Sequence, residues 1–351
     1  MTKKLPSMDH DRSITFLMEL LNLPSPSGFV EPARRRVLAE LDDLGIKASV
    51  SASGAILGFI KGSGKAMPRT LVAHLDVLGL MVKKIESDGS LIPEPVGGFR
   101  AATVEGEYVT IHTLKGKTYT GTLVPLKGSV HVHGEEGDEK RIFKDLRIRL
   151  DEDVSKAEEV EALGIRVGDY VTIDPRPVLT PGGYIKGRGL DDKAGVACTI
   201  GAVAAILGNR VKTPGDVWFC FTEQEEGGYA VPGGLPSELE EILAVDMGVV
   251  GMGQTGSEQK CSICAKDSRG PYNRKMVERL AGLAEELKIP AVIDIYPRYG
   301  SEAFSTVLAS AGTARSALVG PGVACSHAYE RTHRRGIVAT IELIAAYLLN
   351  W

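Results

Sequence analysis

Helical and strand-like patterns alternate at both ends of this 351-residue chain, and this alternation constrains the fold more than any other feature. Two helical patterns open the chain and precede the apolar segments "GAILGFIKG" and "RTLVAHLD". After residue 183 the helical pattern "AGVACTIGAVAAILGN" leads to the strand patterns "GDVWFCFTEQ" and "EILAVDMGVV". Because alternating helices and strands are typical of α/β proteins, we predict a three-layer α/β sandwich with a mostly parallel mixed sheet.

The segment 77–183 has a different pattern. Short alternating stretches such as "EYVTIHTL", "KTYTGTLV" and "DYVTIDP" are separated by Gly, Pro and charged residues. A period of two with frequent turn residues predicts short β-strands. We therefore predict that residues 1–76 and 184–351 form the α/β domain and that 77–183 form a small inserted domain resembling a β-barrel.

Composition argues against several partners. A net charge of -4 provides no basic field for nucleic-acid phosphates, so we expect no nucleic-acid partner. No stretch approaches the roughly 20 apolar residues that span a bilayer, so we expect no membrane partner. Five cysteines are an odd number in a large chain, which favours reduced thiols and a cytoplasmic location.

Polar residues that bind metals or exchange protons follow apolar segments at five places. In α/β sheets, ligands gather beyond the carboxyl ends of the strands. Any one of these residues also has a structural explanation, such as a helix cap or a solvated turn. Together, two imidazoles and three carboxylates suit a pair of divalent cations such as Zn²⁺. The candidates are His74, Asp76, Asp191, Asp192, Glu223, Glu225, Glu226, Asp246, His327, Glu330 and His333.

The same residue types are suited to hydrolysis. If one aspartate bridges two cations, and each cation keeps one histidine and one further carboxylate, a position stays open for an activated water. In the pair Glu225–Glu226, the second carboxylate then binds metal while the first faces the water as a general base. His74 and Asp76 fit a pair in which the carboxylate accepts the other ring N–H of the histidine.

The order of these motifs resembles the dinuclear metallo-aminopeptidases. His-x-Asp, Asp-Asp-Lys-Ala-Gly, Glu-Glu-Gly, Val-Asp and a C-terminal His are most similar to peptidase family M42, the tetrahedral (TET-type) aminopeptidases. Members of this family have also been labelled glutamyl aminopeptidase, deblocking aminopeptidase or endoglucanase. The resemblance covers nearly the whole chain and implies a fold like that of zinc exopeptidases.

The resemblance also implies roles for individual residues. Asp191 bridges the two cations, Glu225 is the general base and Asp76 orients His74. A cis peptide bond after Asp191 makes Asp192 a positioning residue and not a ligand. The implied metal ligands are His74, Asp191, Glu226, Asp246 and His327.

The last ligand has two candidates in the sequence. His327 directly follows "VAC" and precedes Glu330 by three residues, as the terminal histidine of the family precedes a glutamate. His333 is the alternative, since it lies in the same segment. We prefer His327.

The function implied by the resemblance is a metal-dependent aminopeptidase. Two divalent cations per subunit, Zn²⁺ first and Co²⁺ or Mn²⁺ as alternatives, activate a water that attacks the N-terminal peptide bond of a peptide substrate. The insert resembles the dimerisation domain of the family, which implies a homo-oligomer between a dimer and a dodecamer.

Two other functions stay open at this stage. The first is a dinuclear deacylase or amidohydrolase acting on a non-peptide amide, because a metal cluster alone does not select peptides. The second is a catalytically silent assembly protein, although every expected ligand and the base are present in the sequence. An endoglucanase has little support, because a paired-carboxylate glycosidase site does not need two histidines.

Overall fold

A computed structural model of the chain describes residues 5–134, 140–229, 233–236, 239–310 and 312–350. The α-helices in these residues are α1 (His10–Leu21), α2 (Glu31–Asp43), α3 (Val130–His133), α4 (Ala157–Leu163), α5 (Leu190–Gly208), α6 (Arg274–Leu287), α7 (Ala303–Ala309) and α8 (Arg334–Leu349). None of the helices in the described ranges has both the length and the apolar character needed to cross a bilayer.

The described strands fall into one large sheet and one barrel. In chain order they are β1 (Ser49–Val50), β2 (Ile56–Ile60), β3 (Arg69–His74), β4 (Gly79–Ile85), β5 (Leu91–Val96), β6 (Tyr108–His112), β7 (Thr118–Pro125), β8 (Leu146–Leu150), β9 (Tyr170–Ile173), β10 (Val178–Leu179), β11 (Tyr184–Gly187), β12 (Val217–Thr222), β13 (Glu241–Val245), β14 (Gly248–Val250), β15 (Cys261–Asp267), β16 (Gly270–Pro271), β17 (Ala291–Ile295), β18 (Arg315–Ala324) and β19 (Glu330–His333). The molecule is therefore a mixed α/β protein with a separate β domain.

The large sheet is mixed, and its order is β1-β2-β12-β3-β13-β18-β19-β11-β10. Parallel pairing is confined to β12, β3, β13 and β18 at the centre and to the pairs β14–β18 and β15–β17. The other neighbours are antiparallel, so the prediction of a mostly parallel sheet holds for the centre only. Short connections such as 51–55, 180–183 and 325–329 join several of the outer strands, and a parallel connection needs a dozen residues or more.

The centre of the domain is the strand β3 and the helix α5. Every residue of β3 is buried, as expected for a strand with parallel neighbours on both sides. Helix α5 is apolar on almost all faces and packs against α1, α8 and β3. Its small residues allow a close approach, because a Cβ on Gly195 would overlap the main-chain oxygen of Val245 at the end of β13. The helix start is thus held against the edge of the sheet.

The β domain is a closed barrel with the order β4-β5-β8-β7-β6-β9 around its own apolar core. Its strands extend from Gly79 to Ile173, and we call residues 79–173 the barrel insert. Strand β10 lies within the segment predicted as the insert but pairs with β11 in the large sheet. The C-terminal limit of the barrel is therefore nearer residue 173 than 183.

Candidate metal centre

Three neighbouring parallel strands end at the same edge of the sheet and carry polar residues there. Thr222 at the end of β12 is paired with His74 at the end of β3, so the loop with Glu225 and Glu226 begins beside His74. Strand β13 runs parallel to β3 on the other side, and Asp246 directly follows its last residue. This topology explains why residues far apart in sequence meet at one edge.

A second pairing brings the start of α5 to the segment after β18. Gly187 of β11 is paired with Glu330 of β19. One carboxylate oxygen of Glu330 accepts hydrogen bonds from the backbone N–H groups of Leu190, at 2.6 Å, and Asp191, at 3.3 Å. Its other oxygen accepts from the N–H of His327 at 3.3 Å. Glu330 therefore holds the backbones of Asp191 and His327 side by side.

The residues at this edge form two groups that share Asp191. His74 and Asp246 make one group with Asp191, and Glu226 and His327 make the other. Within each group the candidate ligand atoms all lie within 4.8 Å of one another. His74 Nε2 lies 3.2 Å from Asp191 Oδ1, and His327 Nε2 lies 3.6 Å from Asp191 Oδ2. The two oxygens of Asp191 thus face opposite histidines, as a bridging carboxylate requires.

His74 is buried, and its ring is held within its own loop. Its Nδ1 lies 2.9 Å from the main-chain oxygen of Asp76. A carbonyl oxygen only accepts hydrogen bonds, so this contact requires a proton on Nδ1 and leaves Nε2, which faces Asp191, as the ring nitrogen that can bind a cation once its own proton is displaced.

The carboxylate of Asp76 was predicted to orient the ring of His74, but in the structure it has other hydrogen-bond partners. It lies 3.7 Å from His74 Nδ1, so it is not the hydrogen-bond partner of the ring. Its two oxygens accept from the backbone N–H groups of Glu225 and Glu226, each at 3.1 Å, and from Ser27 Oγ at 2.5 Å. Asp76 therefore orients the loop with the two glutamates.

His327 belongs to the more exposed group. Its backbone φ is +65°, a left-handed value that is uncommon outside glycine. Its Nδ1 lies 2.6 Å from the main-chain oxygen of Gly98, and its Nε2 lies 3.5 Å from Glu226 Oε1. His333 lies elsewhere: its Nδ1 accepts from the backbone of Arg335 and its Nε2 contacts the main-chain oxygen of Gly182. The structure brings His327 to the cluster, and His333 caps α8.

Asp192 sits beside the cluster and caps the helix. The Asp191–Asp192 peptide bond is cis, as the resemblance implies. Asp192 Oδ1 accepts a hydrogen bond from the backbone of Gly195 at 3.0 Å, which is the pattern of an N-terminal cap. One aspartate of "GLDDK" thus faces the two histidines, and the next one stabilises the first turn of the helix.

The carboxylates crowd one another. Burial, followed by the nearby charge of Asp191, raises the pKa of Asp246 to about 8 and that of Glu226 well above its usual range. Burial also raises the pKa of Asp191, but hydrogen bonds with His327 and His74 outweigh it and hold this pKa low. Such crowding of acids is relieved by bound cations.

The donor set fits divalent metal ions. Each group offers one imidazole nitrogen and carboxylate oxygens, the ligands that Zn²⁺, Co²⁺ and Mn²⁺ accept in proteins. Glu226 Oε1 is buried and, among the described residues, has no hydrogen-bond partner. A buried carboxylate oxygen without a partner is costly unless a cation binds it.

Two further glutamates follow β12, and they differ in their surroundings. Glu225 belongs to neither group of candidate ligands, and its Oε2 lies 4.0 Å from His74 Nε2. Burial raises its pKa above the usual range. Glu223 forms an ion pair with Arg34, with N–O distances of 2.5 Å and 2.7 Å, and faces away from the cluster. Of these two glutamates, Glu225 is therefore the one whose carboxylate lies beside the candidate ligands.

A cavity of about 780 Å³ opens on the cluster. Asp191, Glu226 and His327 line it from the α/β domain, while Phe99 and Tyr108 line it from the barrel insert. This volume is in the range of small-molecule binding sites. The cavity therefore gives a small molecule access to the exposed group of ligands.

Several contributing residues were not identified from the sequence. Ser326 Oγ donates to Asp191 Oδ2 at 2.9 Å, and Ser27 and Gly98 make the contacts described above. Glu302 is buried, accepts from Thr222 Oγ1 at 2.6 Å, and has a pKa raised to about 8, mainly by burial. Serine and glycine carry no pattern that signals such roles, and Glu302 lies in an ordinary helix-start segment, "GSEAF".

A mixed α/β domain with paired histidine and carboxylate groups at one sheet edge defines a candidate metal-dependent hydrolase. Residues 54–343 match the family model described as M42 glutamyl aminopeptidase. The chain belongs to this family and is an aminopeptidase, a hydrolase of peptide bonds. The family predicted from the sequence motifs is thus confirmed.

Individual relatives agree with this assignment. The chain is 39% identical to the putative aminopeptidase YhfE of Bacillus subtilis, over 96% of this chain and 97% of the relative. Its fold is similar to that of an aminopeptidase from Desulfurococcus kamchatkensis, with a TM-score of 0.84, 23% identity and coverage of 97% and 96%. The TET1 peptidase of Pyrococcus horikoshii, which assembles into a tetrahedron or a large octahedral shell, gives a TM-score of 0.81, 23% identity and coverage of 97% and 100%.

Proposed function

We propose that this aminopeptidase cleaves the N-terminal peptide bond of peptides at a centre for two divalent cations. One cation is held by His74, Asp191 and Asp246, and the other by Asp191, Glu226 and His327. The observation that carries the proposal is the pair of ligand groups with Asp191 shared between them. Zn²⁺ is the cation we propose, with Co²⁺ and Mn²⁺ as alternatives for the same donors.

When bound, such cations supply positive charge that polarises the substrate carbonyl and makes water more acidic. Glu225 is the general base in this proposal: its carboxylate accepts a proton from water and passes it to the departing amine. The raised pKa of Glu225 suits this role, because the carboxyl group must hold the proton after it leaves water and before it reaches the amine. Asp76 keeps Glu225 in place through its backbone N–H.

The substrate enters through the cavity between the two domains. Its walls bring the peptide end against Asp191, Glu226 and His327, while the barrel insert closes the opposite side. Because Asp191, Glu226 and His327 line the cavity, a peptide terminus bound in it would lie beside the candidate ligands. We propose peptides with a free N-terminus as the substrates.

The matched pair Glu225→Gln and Glu223→Gln tests the mechanism. We expect Glu225→Gln to bind cations as the wild type does and to lose about 10²- to 10⁴-fold in kcat, because an amide does not accept the proton. Glu223→Gln breaks the ion pair with Arg34 and should lower stability while kcat is kept. The measurements are metal content and hydrolysis of aminoacyl anilides.

Acetylated versions of the same anilides show whether a free amino group is required. Release of acetate from the acetylated anilides, without release of aniline from the free ones, would indicate a deacylase in place of an aminopeptidase. A wild-type kcat in Glu225→Gln would show that Glu225 is not the general base.

We also propose that the chain forms a homo-oligomer through the barrel insert. The assembly named for the Pyrococcus horikoshii TET1 peptidase supports this, and so do large apolar side chains exposed on the insert, such as Leu114, Val130 and Val132. Sedimentation velocity of the whole chain measures the assembly, and a monomer at micromolar concentration would contradict the proposal.

A further inference from the structure

We infer that the barrel insert is a working part of the metal centre, because its Gly98 carbonyl fixes the ring of His327. This inference rests on the proposed two-cation centre. The decisive contact is the 2.6 Å distance between His327 Nδ1 and the main-chain oxygen of Gly98, two residues that are 229 positions apart. The insert thus acts on the exposed ligand group directly, in addition to any role in assembly.

The ring of His327 needs an external partner. Its side chain is 38% exposed, whereas that of His74 is 1% exposed, so packing alone does not hold it. The Gly98 oxygen accepts a hydrogen bond and therefore requires the proton on Nδ1. Nε2, which faces Asp191 and Glu226, is then the ring nitrogen left to bind a cation that displaces its proton. A histidine that binds metal is commonly oriented in this way by a partner on its other ring nitrogen.

The position of the Gly98 carbonyl is set by its neighbour Gly97. Gly97 has a φ of +85°, which disfavours any other residue. A Cβ at this position would overlap Leu78 Cδ2 and would lie 3.3 Å from the main-chain oxygen of Glu226. The segment therefore lies directly against the backbone of a second candidate ligand. By contrast, a Cβ on Gly98 would meet no atom within 4 Å.

Arg188 ties the same two parts of the chain together. Its guanidinium donates to the main-chain oxygens of Thr103 in the insert, at 2.6 Å, and of Ala328 beside His327, at 3.1 Å. It also donates to Glu107 of the insert at 2.9 Å. Arg188 itself lies three residues before Asp191. One side chain, from a residue close to Asp191 in the chain, thus links the insert to the His327 segment.

The matched pair Gly97→Ala and Gly116→Ala tests the inference through metal binding. Protein stripped of metal is titrated with Co²⁺ against a competing chelator, and the visible absorbance is followed. We expect Gly97→Ala to weaken one of two Co²⁺ sites by roughly 10- to 100-fold, the usual cost of losing an outer partner of a metal ligand, and to leave the other within about twofold. Gly116→Ala, at a glycine of the insert with a similar φ of +80° where a Cβ would meet no atom within 4 Å, should bind both ions like the wild type. Equal behaviour of the two variants would overturn the inference.

A second measurement examines the protein with its natural insert and decides the question if Gly97→Ala does not fold. Protein with ¹⁵N-labelled histidine and bound Zn²⁺ is examined by NMR, and the ring of His327 is assigned with a His327→Gln control. We expect a protected proton on Nδ1. A proton on Nε2, with Zn²⁺ on Nδ1, would overturn the inference.

These results are separable from the proposed function. A wild-type protein that binds no Co²⁺ or cleaves no aminoacyl anilide contradicts the proposed function itself. A wild type that binds two ions and is active, with Gly97→Ala indistinguishable from Gly116→Ala, contradicts only the role of the insert.

Discussion

His74 and His327 present the same ring atom to Asp191, but different parts of the molecule hold their rings. His74 is buried at the end of a central strand, and a carbonyl two residues further along the chain orients it. His327 is partly exposed in a loop, and a carbonyl of the barrel insert orients it. One half of the centre is therefore built by the sheet alone, while the other depends on contact between two domains.

The largest expected effect comes from Asp191→Asn, because Asp191 is the residue that the two halves share. An amide does not bridge two cations, so we expect both to be lost on dialysis and activity to fall by more than about 10⁴-fold, at least the loss expected for removing the base. Metal content by mass spectrometry and the rate of anilide hydrolysis measure this. The control Asp192→Asn keeps a cap acceptor for Gly195 and should retain both cations. If Asp191→Asn retained two ions, Asp191 would not be the ligand that the two cations share.

His74→Ala and His327→Ala test the difference in burial between the two histidines. Each variant should retain one cation, the one on the opposite half. His74→Ala removes a buried ring and should also lower the free energy of unfolding of the metal-free protein by roughly 2–5 kcal/mol. His327→Ala removes a partly exposed ring and should cost about 1 kcal/mol or less. Urea unfolding and metal content distinguish the two, and equal stability losses would contradict the difference in burial.

The pH dependence of cation binding is a property in which we expect the two halves to differ least. The hydrogen bond to Asp191, partly opposed by burial, raises the pKa of His327 to about 10. The pKa of His74 is also well above its usual value, because its hydrogen bond to Asp191 and the charges of Glu225 and Asp246 outweigh burial. A cation must displace these protons, so affinity should rise by up to about tenfold per pH unit for each proton released.

The same shift predicts the stability of the metal-free protein. A raised pKa in the folded state contributes stability that is complete below about pH 6.5 and is lost as the pH rises through about 10. Co²⁺ titrations at pH 6, 7 and 8, together with urea unfolding of the stripped protein over the same range, measure both effects. Affinity that does not change with pH would show that the histidines are already neutral.

Much of the fold followed from local patterns. The apolar run of β3 and the small, apolar surface of α5 are visible in the sequence because a central strand and a buried helix need them. The short alternating stretches likewise predicted the barrel. The antiparallel flanks of the large sheet were not predicted, because pairing between β18, β19 and β11 depends on long-range contacts that local patterns do not encode.

For the candidate site, the sequence predicted the side chains of the cluster but not the main-chain groups that orient them. The residue types His, Asp and Glu at strand ends identified the cluster, since their chemistry is carried by the side chains themselves. The partners that orient them were missed or misassigned where main-chain atoms are involved: the carbonyls of Asp76 and Gly98, and the N–H groups that bind the Asp76 carboxylate. Every residue has such groups, so the sequence contains no signal for the ones that are used.

The sequence by itself determined the family, the ligand types and their order along the chain. Only the tertiary structure decided that Asp191 faces both histidines, that His327 and not His333 joins the cluster, and that the insert reaches the exposed half. The physical reason is that side-chain chemistry is local, whereas the geometry of a centre depends on which strand ends, loops and main-chain carbonyls the fold brings together.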